Sequence, residues 1–231
     1  MNPIVQLNKV SFSPPGLSNE NILENTDFQI DEGEHCLLLG DVGSGKSPTL
    51  MLLAGIWKAQ KGEVSLFGHL IDKFKSDKML GTRTRIGMVF QGNGRLLPNL
   101  NLRNNIELPL RYHGFMDFAH AKQLRKWIDL FELGPYLEKA PAEVKMHFCR
   151  RAAMARALSM DPDLLLLDEL LTGLHAQEKS WWLYQFEHEI ATARLGHRPT
   201  RSIILACSEA NDWKSTNLKK VRIQDRDIHV L

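Results

Sequence analysis

Apolar and polar positions alternate near the start of the chain, in Ile4-Val5-Gln6-Leu7-Asn8-Lys9-Val10 and again around Phe28-Gln29-Ile30, with Ser13-Pro14-Pro15-Gly16 between them. A period of two interrupted by a Pro/Gly turn predicts antiparallel strands. His35-Cys36-Leu37-Leu38-Leu39 is an unbroken apolar run ending at Gly40, as expected of a strand covered on both faces. A glycine-rich loop follows, then a predicted helix over Thr49 to Lys58. From about Asn99 to Ser159 the period turns helical, which predicts a helical insertion. Strand signals return in Asp163-Leu164-Leu165-Leu166-Leu167 and in Arg201-Ser202-Ile203-Ile204-Leu205-Ala206. Between them a helix is expected from about Ala176 to Leu195, stopped by Gly196. Trp182, Phe186 and Ile190 share one face of that helix, so that face is expected in the core. Strands alternating with helical crossovers predict an α/β fold around a buried, mainly parallel sheet.

Composition narrows the function classes. The chain has 231 residues, 43% hydrophobic and 24% charged, with no low-complexity tract, which fits a globular core and excludes a disulfide-stapled scaffold. Basic and acidic residues nearly cancel, 29 against 27, so charge gives no reason to expect nucleic acid as a partner. The longest aliphatic runs, such as Leu164 to Leu167, fall far short of the ~20 residues a membrane-spanning helix requires. No basic-then-apolar leader opens the sequence, and Cys36, Cys149 and Cys207 are scattered without ligand spacing. A reducing cytoplasm is the expected compartment, with the cysteines as core fillers.

Candidate chemistry begins at Gly40-Asp41-Val42-Gly43-Ser44-Gly45-Lys46-Ser47, which satisfies G-x-x-x-x-G-K-[ST] between a predicted strand and a predicted helix. Small residues there let successive backbone N–H groups converge on phosphate oxygens at a helix start. Lys46 is expected to hold the terminal phosphates and Ser47 a Mg²⁺ ion. Pro48 breaks the usual pattern by removing an N–H that would point at phosphate. Thr49 is the residue that could offer a substitute hydroxyl.

The strand Leu164 to Leu167 delivers Asp168-Glu169 at its C-terminal tip, where ligands sit in open parallel sheets. Asp168 is expected to reach Mg²⁺ through its water shell. Glu169 is placed to orient and deprotonate an attacking water.

In these motifs the chain resembles ABC transporter nucleotide-binding subunits, along nearly its whole length. Met88-Val89-Phe90-Gln91 looks like the family's glutamine loop, which implies that Gln91 contacts Mg²⁺. Leu97 to Ile106 resembles the loop entering the helical subdomain, where membrane subunits dock. Arg150-Arg151-Ala152-Ala153-Met154-Ala155-Arg156-Ala157-Leu158, followed by Asp161-Pro162-Asp163, is similar to the signature helix and its run into the acidic strand. The double arginine and paired alanines look most like ATPases of Mce-type lipid transport systems. The resemblance implies a P-loop NTPase core of mainly parallel sheet with an N-terminal antiparallel part and an inserted helical subdomain. It places the α/β core in 1–91 and 160–231 and the helical subdomain in 92–159 of one nucleotide-binding domain. It further implies ATP and Mg²⁺ as cofactors, integral membrane transporter subunits and a second ATPase subunit as partners, and a peripheral place on the cytoplasmic face of the inner membrane. Two such subunits sandwich ATP between one chain's phosphate loop and the other's signature motif, as a homodimer or a heterodimer.

Several family positions are replaced. The Leu-Ser-Gly-Gly-Gln signature aligns with Val144-Lys145-Met146-His147-Phe148, where Lys145 is either a replacement charge or a surface lysine at a helix start. His175 stands where an aspartate communicates across the dimer. Ser208 stands at the switch histidine, able to hydrogen-bond phosphate but not to carry positive charge. The adenine-stacking aromatic aligns with Pro14, and the nearby Phe12 reads as core. The expectation is an ATP-binding transporter subunit with slow hydrolysis. The alternatives are a catalytically silent subunit scaffolding an active partner and, less well matched, a soluble P-loop kinase.

Overall fold

The computed structural model describes residues 3–16, 20–71, 81–190, 201–213 and 218–231. The N-terminal alternation forms β1 (Pro3–Phe12) and β2 (Leu23–Asp31), paired antiparallel. With β4 (Lys61–Leu66) and β5 (His69–Leu70) they make a sheet of order β2-β1-β4-β5. The second sheet holds β3 (His35–Leu39), β6 (Ile86–Val89), β7 (Leu164–Asp168), β8 (Ser202–Cys207), β9 (Lys219–Gln224) and β10 (Asp227–Val230). Its order is β10-β9-β3-β8-β7-β6, parallel throughout except for the β9–β10 hairpin. That hairpin turns on Asp225 and Arg226, both at positive φ, the twist that suits a two-residue connection.

The central strands are apolar without alternation because both faces are covered. Leu37, Leu39, Leu165, Leu167, Ile203 and Leu205 pack in one core with Trp127, Phe131 and Trp182. Their neighbours Cys36, Leu38, Leu164, Leu166, Ile204 and Ala206 pack in the other, against β1, β2 and β4 residues such as Val5, Ile30 and Val64. Each fully buried leucine contributes about 1.5–3 kcal/mol, so this doubly covered layer supplies much of the hydrophobic stabilisation.

The helix after the glycine-rich loop, α1 (Lys46–Leu53), starts and ends earlier than the Thr49 to Lys58 expected. Gly45 provides the left-handed N-cap that starts it, and Gly55 at φ 65° stops it, with the Ile56 and Trp57 N–H groups folding back on the Met51 carbonyl. The helical insertion contains α2 (Leu102–His113), capped by the Asn101 side chain, α3 (Phe118–Leu130), capped by Asp117, and α4 (Met146–Leu158). The next helix, α5 (Ala176–Gln185), runs into a π-turn over Phe186–Ile190. Trp182, Phe186 and Ile190 are buried as the spacing predicts. Its expected stop at Gly196 lies outside the described residues.

Register sets the site. Leu39 pairs with Cys207, Asp168 with Ala206 and Val89 with Leu167. The C-terminal ends of β3, β8, β7 and β6 are therefore level, and Gly40, Ser208, Glu169 and Gln91 emerge along one edge. Phe12 is fully buried with its ring 6.2 Å from that of Trp57, so it belongs to the core. Cys36, Cys149 and Cys207 are buried and unpaired. Among the described residues no helix is long and apolar enough to cross a membrane.

Candidate functional site

The loop from β3 to α1 closes tightly. Gly45 sits at φ 96°, and a Cβ there would run into the Ile22 side chain, so only glycine fits. A Cβ on Gly40 would strike the Ser44 hydroxyl. Lys46 opens α1, and its ammonium donates to the Gly40 carbonyl at 2.8 Å, the Asp41 carbonyl at 3.0 Å and Ser208 Oγ at 3.1 Å. The same nitrogen lies 3.5 Å from Glu169 Oε1.

Ser47 Oγ donates to Asp168 Oδ1 at 2.9 Å. Burial pushes the Asp168 carboxyl above the ordinary range, with the Ser47 hydroxyl pulling the other way. Glu169 differs one residue on. Burial pushes it up, but hydroxyl bonds from Ser208 (2.6 Å to Oε1) and Thr172 (2.5 Å to Oε2), with the Lys46 charge, outweigh it and hold the carboxyl below the usual value. Glu169 is ionised and gripped at both oxygens. Its φ of 50° is left-handed, a strain of about 1–2 kcal/mol for a side-chain-bearing residue. The bonds from the Glu169 N–H to the Ala206 carbonyl (2.9 Å) and from the Thr172 N–H to the Glu169 carbonyl (3.2 Å) hold the turn.

Lys46, Ser47, Glu169 and Ser208 face a cavity of about 540 Å³ that is also lined by Gly43, Gly45, Pro48 and Gln91. A second, of about 390 Å³, opens between Ser47, Gln91 and Asp168 on one side and Arg95 and Arg150 on the other. A third, of about 450 Å³, runs past Gly43, Ser44 and Gly45 to Pro14, Ile22 and Arg226. The donor set fits a Mg-bound polyphosphate: small residues before a helix start, a lysine, and a buried Ser44 hydroxyl with no hydrogen-bond partner. Ser47 and Asp168 suit a hard cation that keeps waters and phosphate oxygens among its ligands. Among the described residues no cluster of three His, Cys, Asp or Glu side chains exists that would hold a metal alone.

The remaining predicted positions fall as follows. The Val42 and Asp41 side chains are exposed, with Val42 lining the 540 Å³ cavity. Thr49 departs from expectation. It is fully buried, its hydroxyl has no hydrogen-bond partner and it lines none of these cavities, because its place on α1 turns it into the fold. It does not replace the N–H missing at Pro48. At the signature position Val144 and Phe148 pack on the core, and the Phe148 ring lies 4.0 Å from that of Tyr136. Met146 is exposed, and Lys145 caps α4 without a side-chain bond. His175 is the exposed N-cap of α5. Pro14, with no ring face to stack, lines the third cavity. Sequence reasoning missed Thr172, whose only signal is a hydroxyl three residues after Glu169. It also missed the Lys179–Asp212 ion pair (2.7 Å) in the wall of the main cavity, which no local pattern marks.

Several known proteins resemble this chain. A family profile described as "ABC transporter" matches residues 23–172. The chain is similar to an uncharacterized ABC transporter ATP-binding protein of Thermotoga maritima, at 34% identity over 171 residues, 73% of each chain. It is 32% identical to the taurine import ATP-binding protein TauB of Ruegeria pomeroyi, over 71% of this chain and 58% of that one. It is 30% identical to the intermembrane phospholipid transport system ATP-binding protein MlaF of Haemophilus influenzae, over 66% of this chain and 58% of that one. Among solved structures, the dimeric ATP-binding cassette MJ0796 bound to ADP and Pi superposes with a TM-score of 0.79 at 23% identity, covering 97% of this chain and 96% of that one. At that identity the likeness speaks for the fold.

Proposed function

The chain belongs to the ABC transporter ATP-binding family, and on that premise we propose that it is a peripheral subunit which binds MgATP, hydrolyses it slowly and so drives membrane subunits. The observation that carries this reading is the meeting of Lys46, Ser47 and Glu169 in one cavity, with Asp168 bonded to Ser47 and lining the neighbouring cavity. Backbone N–H groups before α1 and the Lys46 ammonium would bind the phosphate oxygens. Ser47, Asp168 and Gln91 would hold Mg²⁺, which when bound neutralises phosphate charge. Glu169 would accept the proton of the attacking water through Oε1 or Oε2, after Ser208 or Thr172 releases that oxygen.

Slow turnover follows from what is missing. Ser208 brings no positive charge, and the Val144 to Phe148 segment presents the side chains of Met146, which is exposed, and His147 where a glycine pair would let backbone approach phosphate. Removing one stabiliser of transition-state charge costs about 100- to 1000-fold in rate. A second ATPase subunit with an intact signature completes the better site, so we favour a heterodimer over two copies of this chain. It would lie on the inner face of the membrane, attached through its partners. Phospholipid is the cargo class this reading takes, supported by Arg150-Arg151-Ala152-Ala153 and by the similarity to MlaF.

The test is steady-state phosphate release by the assembled transporter, compared with Glu169→Gln. The expected outcome is measurable release in the wild type and a fall of about 100-fold or more in the variant. Equal rates would remove hydrolysis from this chain and leave the silent, scaffolding role.

A further inference from the structure

Helix α4 does more than present the signature segment. Three of its side chains, Arg150, Ala153 and Arg156, lie three residues apart on one face and carry the loop that follows Gln91. Arg150 Nε donates to the Gly92 carbonyl at 2.8 Å. Arg156 donates to the Gly94 carbonyl at 2.6 Å and the Arg95 carbonyl at 3.1 Å. Gly94, at φ 72°, lies so close to Ala153 that a Cβ there would overlap it. The Gln91 loop is thus bolted to α4 by its backbone, independently of its side chains.

Arg150 has a second attachment. Its Nη1 donates at 3.0 Å to the carbonyl of Leu170, the residue immediately after Glu169. Arg150 is 5% exposed and faces the same 390 Å³ cavity as Ser47, Gln91 and Asp168. One guanidinium therefore ties together the two backbone segments that flank the acidic pair. On one side is Gly92, whose neighbour Gln91 lines the same cavity as Asp168. On the other is the left-handed turn that aims Glu169.

We infer that Arg150 is a positioning residue, which fixes the spacing between the Gln91 loop and the Glu169 turn and makes both follow any movement of α4. This rests on the proposed ATPase reading and deepens it. Arg150 bonds the backbone on both sides of the acidic pair. It acts through two carbonyls, and the fork geometry of a guanidinium, with donors diverging in one plane, suits that task better than a lysine ammonium. The inference gives the helical subdomain a physical route to the base that does not pass through the replaced signature residues.

The experiment uses the assembled transporter carrying Arg150→Gln or Arg150→Lys. It reads kcat, KM and MgATP affinity together with amide hydrogen exchange over 91–96 and 169–173. Displacement of a positioned base by about an ångström lowers turnover about 10- to 100-fold, so that fall in kcat is expected for Arg150→Gln, at a nucleotide Kd within twofold of the wild type. Exchange should quicken in both segments while α1 is unchanged, and Arg150→Lys should fall between. The inference is overturned if kcat stays within twofold of the wild type, if only one segment quickens, or if turnover and affinity fall together with general loosening of the fold. Wild-type turnover tests the ATPase reading separately. Should the wild type release no phosphate, that reading fails, and the paired exchange response alone decides the role of Arg150.

Discussion

Pro48 offers the most direct test of how this site handles phosphate. It is the third residue of α1, where a backbone N–H has no partner inside the helix, so the ring leaves the helix intact and removes only an outward donor. It lines both the 540 Å³ and the 450 Å³ cavities, and Thr49 is turned away into the core. Thr49 does not take over the missing N–H. A hydrogen bond to a charged acceptor is worth about 1.5–3 kcal/mol, so restoring it should tighten MgATP binding about 10- to 100-fold. Replacing a compatible proline loosens the unfolded chain and lowers stability by about 0.4–1 kcal/mol, which calls for measurement well below the melting temperature. Calorimetric titration of the wild type, Pro48→Ala and Pro48→Thr separates the contributions. Equal gains in both variants assign the effect to the N–H, and a larger gain in threonine adds its hydroxyl. Dissociation constants within twofold of the wild type in both would refute the argument.

Two further outcomes are expected. Gly45→Ala forces a side chain to φ 96° and into Ile22, so it should lower stability by about 1–2 kcal/mol and weaken MgATP binding by more than tenfold, read by thermal melting and titration; wild-type values would count against the steric argument. Burial pushes the Cys36 and Cys207 thiols from an ordinary 9.0 up to about 12, so both are protonated in the folded chain at pH 8, with a thiolate fraction of about 10⁻⁴ and slow alkylation. Because the folded values are raised, their contribution to stability is complete below pH 9 and is lost as pH rises towards about 12. Denaturant titrations across that window, against Cys36→Ala and Cys207→Ala, check the sign.

Much of this architecture is legible because the deciding forces are local. The β3, β7 and β8 runs announce strands covered on both faces, and the glycine-rich loop can close in few ways. The β4 strand escapes notice because Gly62 reads as a turn. Its positive φ and its close approach to the Asn8 and Lys9 backbone are set by pairing with β1, far off in sequence. Helix α1 is misplaced because its start depends on a left-handed Gly45 and its stop on Gly55, whereas periodicity marks only apolar content. In the site, Lys46, Ser47, Asp168 and Glu169 are readable because each motif places its own residue. Arg150 is legible only as part of a resemblance, since its partners Gly92 and Leu170 lie 58 positions before it and 20 after it and offer carbonyls, which any residue has. Thr49 shows the converse, a hydroxyl at the right position in sequence whose helix phase turns it inward.

The lysine at the heart of the pocket has a bearing on selectivity. All three of its ammonium hydrogens already have oxygen acceptors belonging to the chain itself, two carbonyls and one hydroxyl. A small anion such as chloride or inorganic phosphate would have to displace one of these bonds and could return little more than it disrupts. A ligand with a row of charged oxygens can engage the loop amides and the ammonium together, so the exchange favours long phosphate chains over the abundant simple ions around them.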